Sequence, residues 1–292
     1  MNSFSERLHE RISEVNSRVC LGIDPRPSMH SSTHPARFSE DPAGAAKAVT
    51  QYFRDIIEAT QDHVACYKPQ SAFFEVMGIP GLISLAQLIA DIKSLNIPVI
   101  LDAKRGDIGS TAEAYASAYL GEAVFGCDAL TVNPYLGMDS LEPFIYAAQE
   151  HQKGIFVLVK TSNAGSADFQ NIETTESMYV YDHIAYKLAE LGRDMKSSDG
   201  YSPIGAVVGA THWQEIEHLR DVMPNSIFLV PGYGAQGGSA ADVAAAFDAK
   251  GMGAVVNSSR GLTYLSQEDN YAEQSRQATI VMKDAINEAI GL

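Results

Sequence analysis

Eight apolar runs, each followed by a stretch with helical spacing, constrain this 292-residue chain more than any other feature. With their polar exits they cover residues 19–25, 64–70, 99–104, 129–135, 154–163, 204–211, 226–238 and 253–261. Most are continuously apolar rather than alternating, the pattern of strands buried on both faces in a parallel sheet under helices. Helical patterning fills the gaps: 42–60, 71–96 with an interruption at Gly78-Ile79-Pro80-Gly81, 111–125, 140–153, 177–195, 213–222, 239–250 and 267–290. Eight βα units in succession predict an α/β protein, a single (β/α)8 TIM barrel over residues 1–292 with an extra N-terminal helix. An open doubly wound sheet is the competing architecture. The barrel is preferred because unusual residues follow nearly every run: Asp24, Lys68, Asp102 and Lys104, Asn133, Lys160 to Asn163, Gln236 and Arg260. In a barrel those strand ends converge on one face, whereas an open sheet spreads them along an edge.

Charge and cysteine usage remove several classes of function. A net charge of −15 argues against a nucleic-acid partner, because tracking phosphates needs a basic field. A small anionic ligand needs only a local cluster. No apolar run is long enough to span a membrane. The start, Ser3-Phe-Ser-Glu-Arg-Leu-His-Glu-Arg11, reads as a polar amphipathic helix and not as a signal peptide. Cys20, Cys66 and Cys127 sit in or beside apolar runs, as buried thiols of a reduced, cytoplasmic protein would. CxxC and HExxH spacings are absent, so no metal is expected.

The densest chemistry follows the third run. Asp102 and Lys104 are two residues apart and share one side of a strand, while Leu101 and Ala103 take the other. Arg105-Gly106 breaks the strand, Asp107 follows in the turn, and Ser110 or Thr111 can cap a helix starting near Ala112. Burying an Asp–Lys pair costs several kcal/mol, so a functional role outweighs a structural one. With Lys68 from the neighbouring strand, two cations and two anions can alternate, each flanked by opposite charge and kept ionised. Such an array suits loss of a substrate carboxylate and its replacement by a proton, with a lysine stabilising and then protonating the carbanion.

A second group, Pro231 to Gly238 with Arg260, follows strands seven and eight, a common phosphate position in such barrels. Glycines admit backbone N–H groups close to an anion, Gln236 adds a side-chain donor, and Arg260 can bind phosphate bidentately. Lys160 is open to two readings, a Schiff-base lysine or a charge at the rim. The polar segment 164–175 is either a lid or an ordinary insertion.

These residues resemble the orotidine 5'-monophosphate decarboxylase family. Asp102-x-Lys104-x-x-Asp107-Ile108-x-x-Thr111 resembles its signature, and the similarity extends through Leu21-Gly-Ile-Asp24-Pro25, Tyr67-Lys68-Pro69-Gln70, Thr161-Ser162-Asn163, Pro231 to Gly238 and Asn257-Ser-Ser-Arg260-Gly261. The Arg105-Gly106 insertion and long loops are similar to the larger, mostly bacterial branch. The resemblance implies a barrel that converts orotidine 5'-monophosphate to uridine 5'-monophosphate (UMP) and CO2 without metal or organic cofactor. It implies that Lys104 donates the proton to C6 of the pyrimidine, Asp102 faces the substrate carboxylate, and Lys68 bridges Asp102 and the ribose. Asp24 would bind ribose hydroxyls, Ser162 the pyrimidine, and Pro231, Gln236 and Arg260 the 5'-phosphate. Asp107, Ile108 and Thr111 would reach into the neighbouring subunit's site, making a homodimer the working unit. The alternatives are a metal-assisted sugar-phosphate decarboxylase, an aldolase using Lys160, and a nucleotide-binding protein without catalysis.

Overall fold

The computed structural model describes residues 2–26, 41–210, 213–234, 237–265 and 270–292. Its eight strands are β1 (Val19–Ile23), β2 (Cys66–Pro69), β3 (Ile100–Arg105), β4 (Ala129–Val132), β5 (Gly154–Lys160), β6 (Ile204–Val208), β7 (Phe228–Pro231) and β8 (Ala254–Ser258). All pairings are parallel, in the order β2-β1-β8-β7-β6-β5-β4-β3. Bridges from Tyr67 to Val99 and from Gln70 to Asp102 join β2 to β3 and close the ring. The eight repeats therefore build the expected (β/α)8 barrel.

The helices are α1 (Phe4–Val15), α2 (Pro42–Thr60), α3 (Ser71–Glu75), α4 (Gly78–Ser94), α5 (Gly109–Leu120) and α6 (Glu142–Glu150), then α7 (Ala167–Gln170), α8 (Val180–Gly192), α9 (Trp213–Val222), α10 (Ala240–Val243), α11 (Arg260–Thr263) and α12 (Tyr271–Ala289). Strand side chains alternate between two cores, as the period of two requires. Leu21, Tyr67, Leu101, Leu130 and Val256 pack outward against helix residues such as Phe53, Ile56 and Leu88. Cys20, Cys66, Ile100, Ala129, Phe156 and Val255 fill the barrel interior.

The extra helix α1 closes the bottom of that interior. Ser3 and Glu6 form a capping box at its start. Phe4, Leu8 and Ile12, four apart on one face, join the interior core, with the Phe4 ring edge-on to Phe156 at 5.9 Å between centroids. Full burial of such a side chain contributes about 1.5–3 kcal/mol. Arg7 reaches Asp128 at 2.8 Å and His9 reaches Asp199 at 2.9 Å, tying α1 to loops at this end. Chemistry is left to the opposite end.

Three local expectations change. Gly78-Ile79-Pro80-Gly81 is not a break but the first turn of α4, where a proline's missing N–H is no loss; the break falls at Val76–Met77. Helix α5 starts at Gly109, whose φ of 53° turns the chain early. Ile108 is then the N-cap residue, without a side-chain cap bond, and neither Ser110 nor Thr111 caps. The alanine-rich stretch 239–250 forms only α10 and one 3-10 turn, Ala244–Ala246. Asp248 stops it by accepting the N–H groups of Lys250 and Met252 and the hydroxyl of Tyr201. Segment 164–175, the polar segment after β5, contains a 3-10 turn and α7.

Candidate active site

At the C-terminal ends of the strands lies a cavity of about 710 Å³ to which every strand or its exit contributes. Leu158, Val207 and Leu229 form an apolar base, while Arg26, Lys68, Lys104 and Arg260 face two carboxylates, Asp24 and Asp102. The excess of cations makes an anion-accepting pocket in a strongly acidic chain.

Asp102 is the centre of the cavity. One carboxylate oxygen accepts from Lys68 Nζ and Gln70 Nε2, each at 2.9 Å. The other accepts from Lys104 Nζ at 2.7 Å and Thr131 Oγ1 at 2.9 Å. Four donors match the four acceptor sites of a carboxylate, so the group is held in one orientation. Burial works against the charge of Asp102, but Lys68 and Lys104 outweigh it and hold the carboxyl well below the usual carboxylate range. Burial likewise works against Lys68, and Asp102 and Asp24 outweigh it, holding that ammonium above the ordinary lysine value.

Lys104 is half exposed to the cavity although its partner is buried. Its φ is 46°, a left-handed conformation that costs a non-glycine residue of the order of 1–3 kcal/mol and clusters at functional sites. Asp24 also lines the cavity, and its Oδ1 is buried without a hydrogen-bond partner among the described residues.

The phosphate candidates Pro231 and Arg260 meet at one side of the cavity, with Gly232, Tyr233, Ser258 and Ser259. The turn after Pro231 needs its glycines: φ is 103° at Gly232, 71° at Gly234 and 96° at Gly237. Gln236 lies outside the described residues. Ser162 lines the cavity at the exit of β5, packed on Gly209, where a Cβ would come within 2.8 Å of Ser162 Cα. Gln170 exchanges two hydrogen bonds with Thr161, accepting from its N–H at 2.9 Å and donating to its Oγ1 at 2.8 Å.

Other predicted residues lie elsewhere. Lys160 is buried away from the cavity, bonded to Asn171 with its ammonium 5.1 Å from the Tyr181 ring. A register shift between Leu158 and Lys160 turns it out, and the Schiff-base reading finds no support. Within one chain only three of the four expected charges come together. Asp107 bonds the N–H of Ile108 and, like Ile108 and Thr111, does not line the cavity. Ile108 is 59% exposed, an apolar side chain held outside its own chain's core.

Sequence reasoning missed Gln70 and Thr131 as ligands of Asp102. Both are findable in principle, since Gln70 is two residues beyond Lys68 and Thr131 has inward parity on β4. Arg26, stacked 4.5 Å above the Phe73 ring, was also missed. Among the described residues no group of three or more His, Cys, Asp or Glu side chains is placed to hold a metal.

Two lysines on one buried carboxylate, beside a glycine-rich turn at the mouth of a (β/α)8 barrel, define the class as a barrel enzyme with a charged active site. Comparison with known proteins narrows the class. The chain belongs to the orotidine 5'-phosphate decarboxylase / HUMPS family, which matches residues 17–275. It is 45% identical to orotidine 5'-phosphate decarboxylase of Rhodopirellula baltica, over 98% of this chain and 99% of that protein. The enzyme of the same name from Deinococcus radiodurans is 41% identical, with 99% of each covered. Among solved structures, Leishmania donovani OMP decarboxylase superposes with a TM-score of 0.79 at 34% identity, covering 99% of both chains.

Proposed function

We propose that Asp102, Lys104 and Lys68 carry out the activity of this enzyme. That activity is decarboxylation of orotidine 5'-monophosphate to UMP and CO2, a step of pyrimidine nucleotide biosynthesis. The carboxylate of Asp102, saturated by four donors with Lys104 at 2.7 Å, is the observation that carries the proposal.

In this reading the substrate phosphate lies against Pro231, Gln236 and Arg260, the ribose against Asp24 and Lys68, and the pyrimidine against Ser162. The substrate carboxylate then faces Asp102. The C6–carboxylate bond breaks, CO2 leaves, and the electron pair stays on C6 beside the Lys104 ammonium. That cation stabilises the developing charge and transfers a proton to C6. The resulting amine regains a proton from water, which its exposure permits. Asp102 fixes the direction of Lys104 through its Oδ1, so little reorganisation accompanies the reaction.

The same reading makes the chain one barrel domain over 1–292 and the working unit a homodimer in a cytoplasmic setting. Asp107, Ile108 and Thr111 stand outside their own cavity, which supports their entering a partner's. Three buried free cysteines suit a reducing compartment. No helix among the described residues is long and apolar enough to cross a membrane.

Incubating the purified protein with orotidine 5'-monophosphate and excess chelator, and following the ultraviolet change to UMP, tests the activity. Conversion at the same rate with and without chelator is expected. Unchanged nucleotide would overturn the reading, and conversion only with added metal would favour a metal-assisted route. Arg260→Ala is expected to weaken UMP binding about 10- to 100-fold, the worth of one or two charge-assisted hydrogen bonds. Calorimetric titration measures this, and unchanged affinity would remove Arg260 from the phosphate site.

A further inference from the structure

We infer that Thr131 is a positioning residue for the decarboxylation, holding the strand irregularity that aims Lys104 at Asp102. The inference rests on the functional reading above and adds a residue to it. The pairing of β3 with β4 runs in register through Leu101↔Leu130, then resumes at Arg105↔Val132. Three residues, Asp102, Ala103 and Lys104, thus stand opposite Thr131 alone. A parallel ladder cannot serve them, and two backbone N–H groups need another acceptor.

The hydroxyl of Thr131 supplies it. Its Oγ1 accepts from the N–H of Ala103 at 3.0 Å and from the N–H of Lys104 at 2.9 Å. It donates its own proton to Asp102 Oδ1 at 2.9 Å. That single atom, 1% exposed as a residue, joins the backbone of Lys104 to the carboxylate its ammonium also touches. The left-handed φ of 46° at Lys104 falls at this point, and it lets a side chain two residues past Asp102 fold back onto the same carboxylate oxygen. Without the hydroxyl, the two N–H groups lose their acceptor, Asp102 loses one of its four donors, and the reason for the strained conformation disappears.

The test compares the wild type with Thr131→Val, which keeps shape and strand preference, and Thr131→Ser, which keeps the hydroxyl. The readouts are kcat and KM for orotidine 5'-monophosphate and Kd for UMP. T131V should lower kcat about 100-fold, the effect of displacing a catalytic group by about 1 Å, while Kd for UMP stays within about threefold. T131S should stay within about fivefold of wild-type kcat. A T131V protein that binds UMP and keeps wild-type kcat overturns the inference while leaving the functional reading intact. Equal losses of kcat and UMP affinity in both variants overturn it too, because they mark a general packing role. If T131V does not fold, T131S decides: a kcat below one tenth of wild type shows that the hydroxyl is not what matters. An inactive wild-type protein instead brings down the functional reading itself.

Discussion

Lys104→Ala is expected to lower kcat by at least about ten-thousand-fold while Kd for UMP changes by less than about tenfold. Two contributions are lost together. General acid catalysis by a positioned side chain is worth about 10²–10⁴, and a donor aimed at developing charge adds about 10²–10³. They are not independent, so at the upper ends of both ranges the larger, about ten-thousand-fold, is the lower bound and their product the upper one. The fold should persist, because the Lys104 side chain is half exposed and Asp102 keeps Lys68, Gln70 and Thr131. Kinetics by ultraviolet absorbance and titration with UMP separate the two effects. A variant within tenfold of wild-type turnover would remove Lys104 as the proton donor.

Asp102→Asn should damage both catalysis and stability. An amide presents an N–H₂ group where one carboxylate oxygen accepts two hydrogen bonds, so a pair of donors would face donors. Lys68, 4% exposed, would be left as a buried cation without its closest counter-charge. Removing one member of a buried pair costs about 3–5 kcal/mol, and denaturant unfolding at neutral pH should show a loss of that size. Turnover should fall by about a thousandfold or more as Lys104 loses its fixed direction.

The stability difference should also depend on pH in a defined sense. The folded state holds Asp102 below its ordinary range, so its contribution is complete above that range and is lost as pH falls toward the folded value. Lys68 is held above its ordinary value, so its contribution is complete below that value and is lost as pH rises through the folded one. The gap between wild type and D102N should be flat from about pH 5 to 9 and narrow below about pH 4. Equal stability of the two proteins at neutral pH would show that Asp102 is not the counter-charge of Lys68.

The parts of the site visible in the sequence are those set by strand period. Asp102 and Lys68 end on one face because alternation along neighbouring strands puts them there, whereas Lys104 reaches Asp102 through the left-handed turn at the irregular end of β3. The eight strands were legible for a similar reason, since parallel strands under helices read as unbroken apolar runs. Departures from regular pairing were not legible. Lys160 shares the expected inward parity, yet a register shift after Leu158 turns it toward Asn171. Thr131 in an apolar run reads as an ordinary strand residue, because its role exists only where three residues of β3 meet one of β4. Helix starts at Gly78 and Gly109 were misplaced because tertiary context overrode glycine and hydroxyl signals. Asp107 marks a different limit, for its proposed site is in a second copy of the chain.

Mixing two inactive variants tests the account most directly. Lys104→Ala lacks the proposed proton donor within its own cavity, and Asp107→Ala lacks the residue proposed to enter the partner's. Refolded together in equal amounts, half the dimers should be mixed, and each mixed dimer should hold one site with both groups intact. About one quarter of wild-type activity is the expected result, from dimer statistics with independent sites. Mixed dimers that form but remain as inactive as either parent would contradict a site built from Lys104 of one chain and Asp107 of the other.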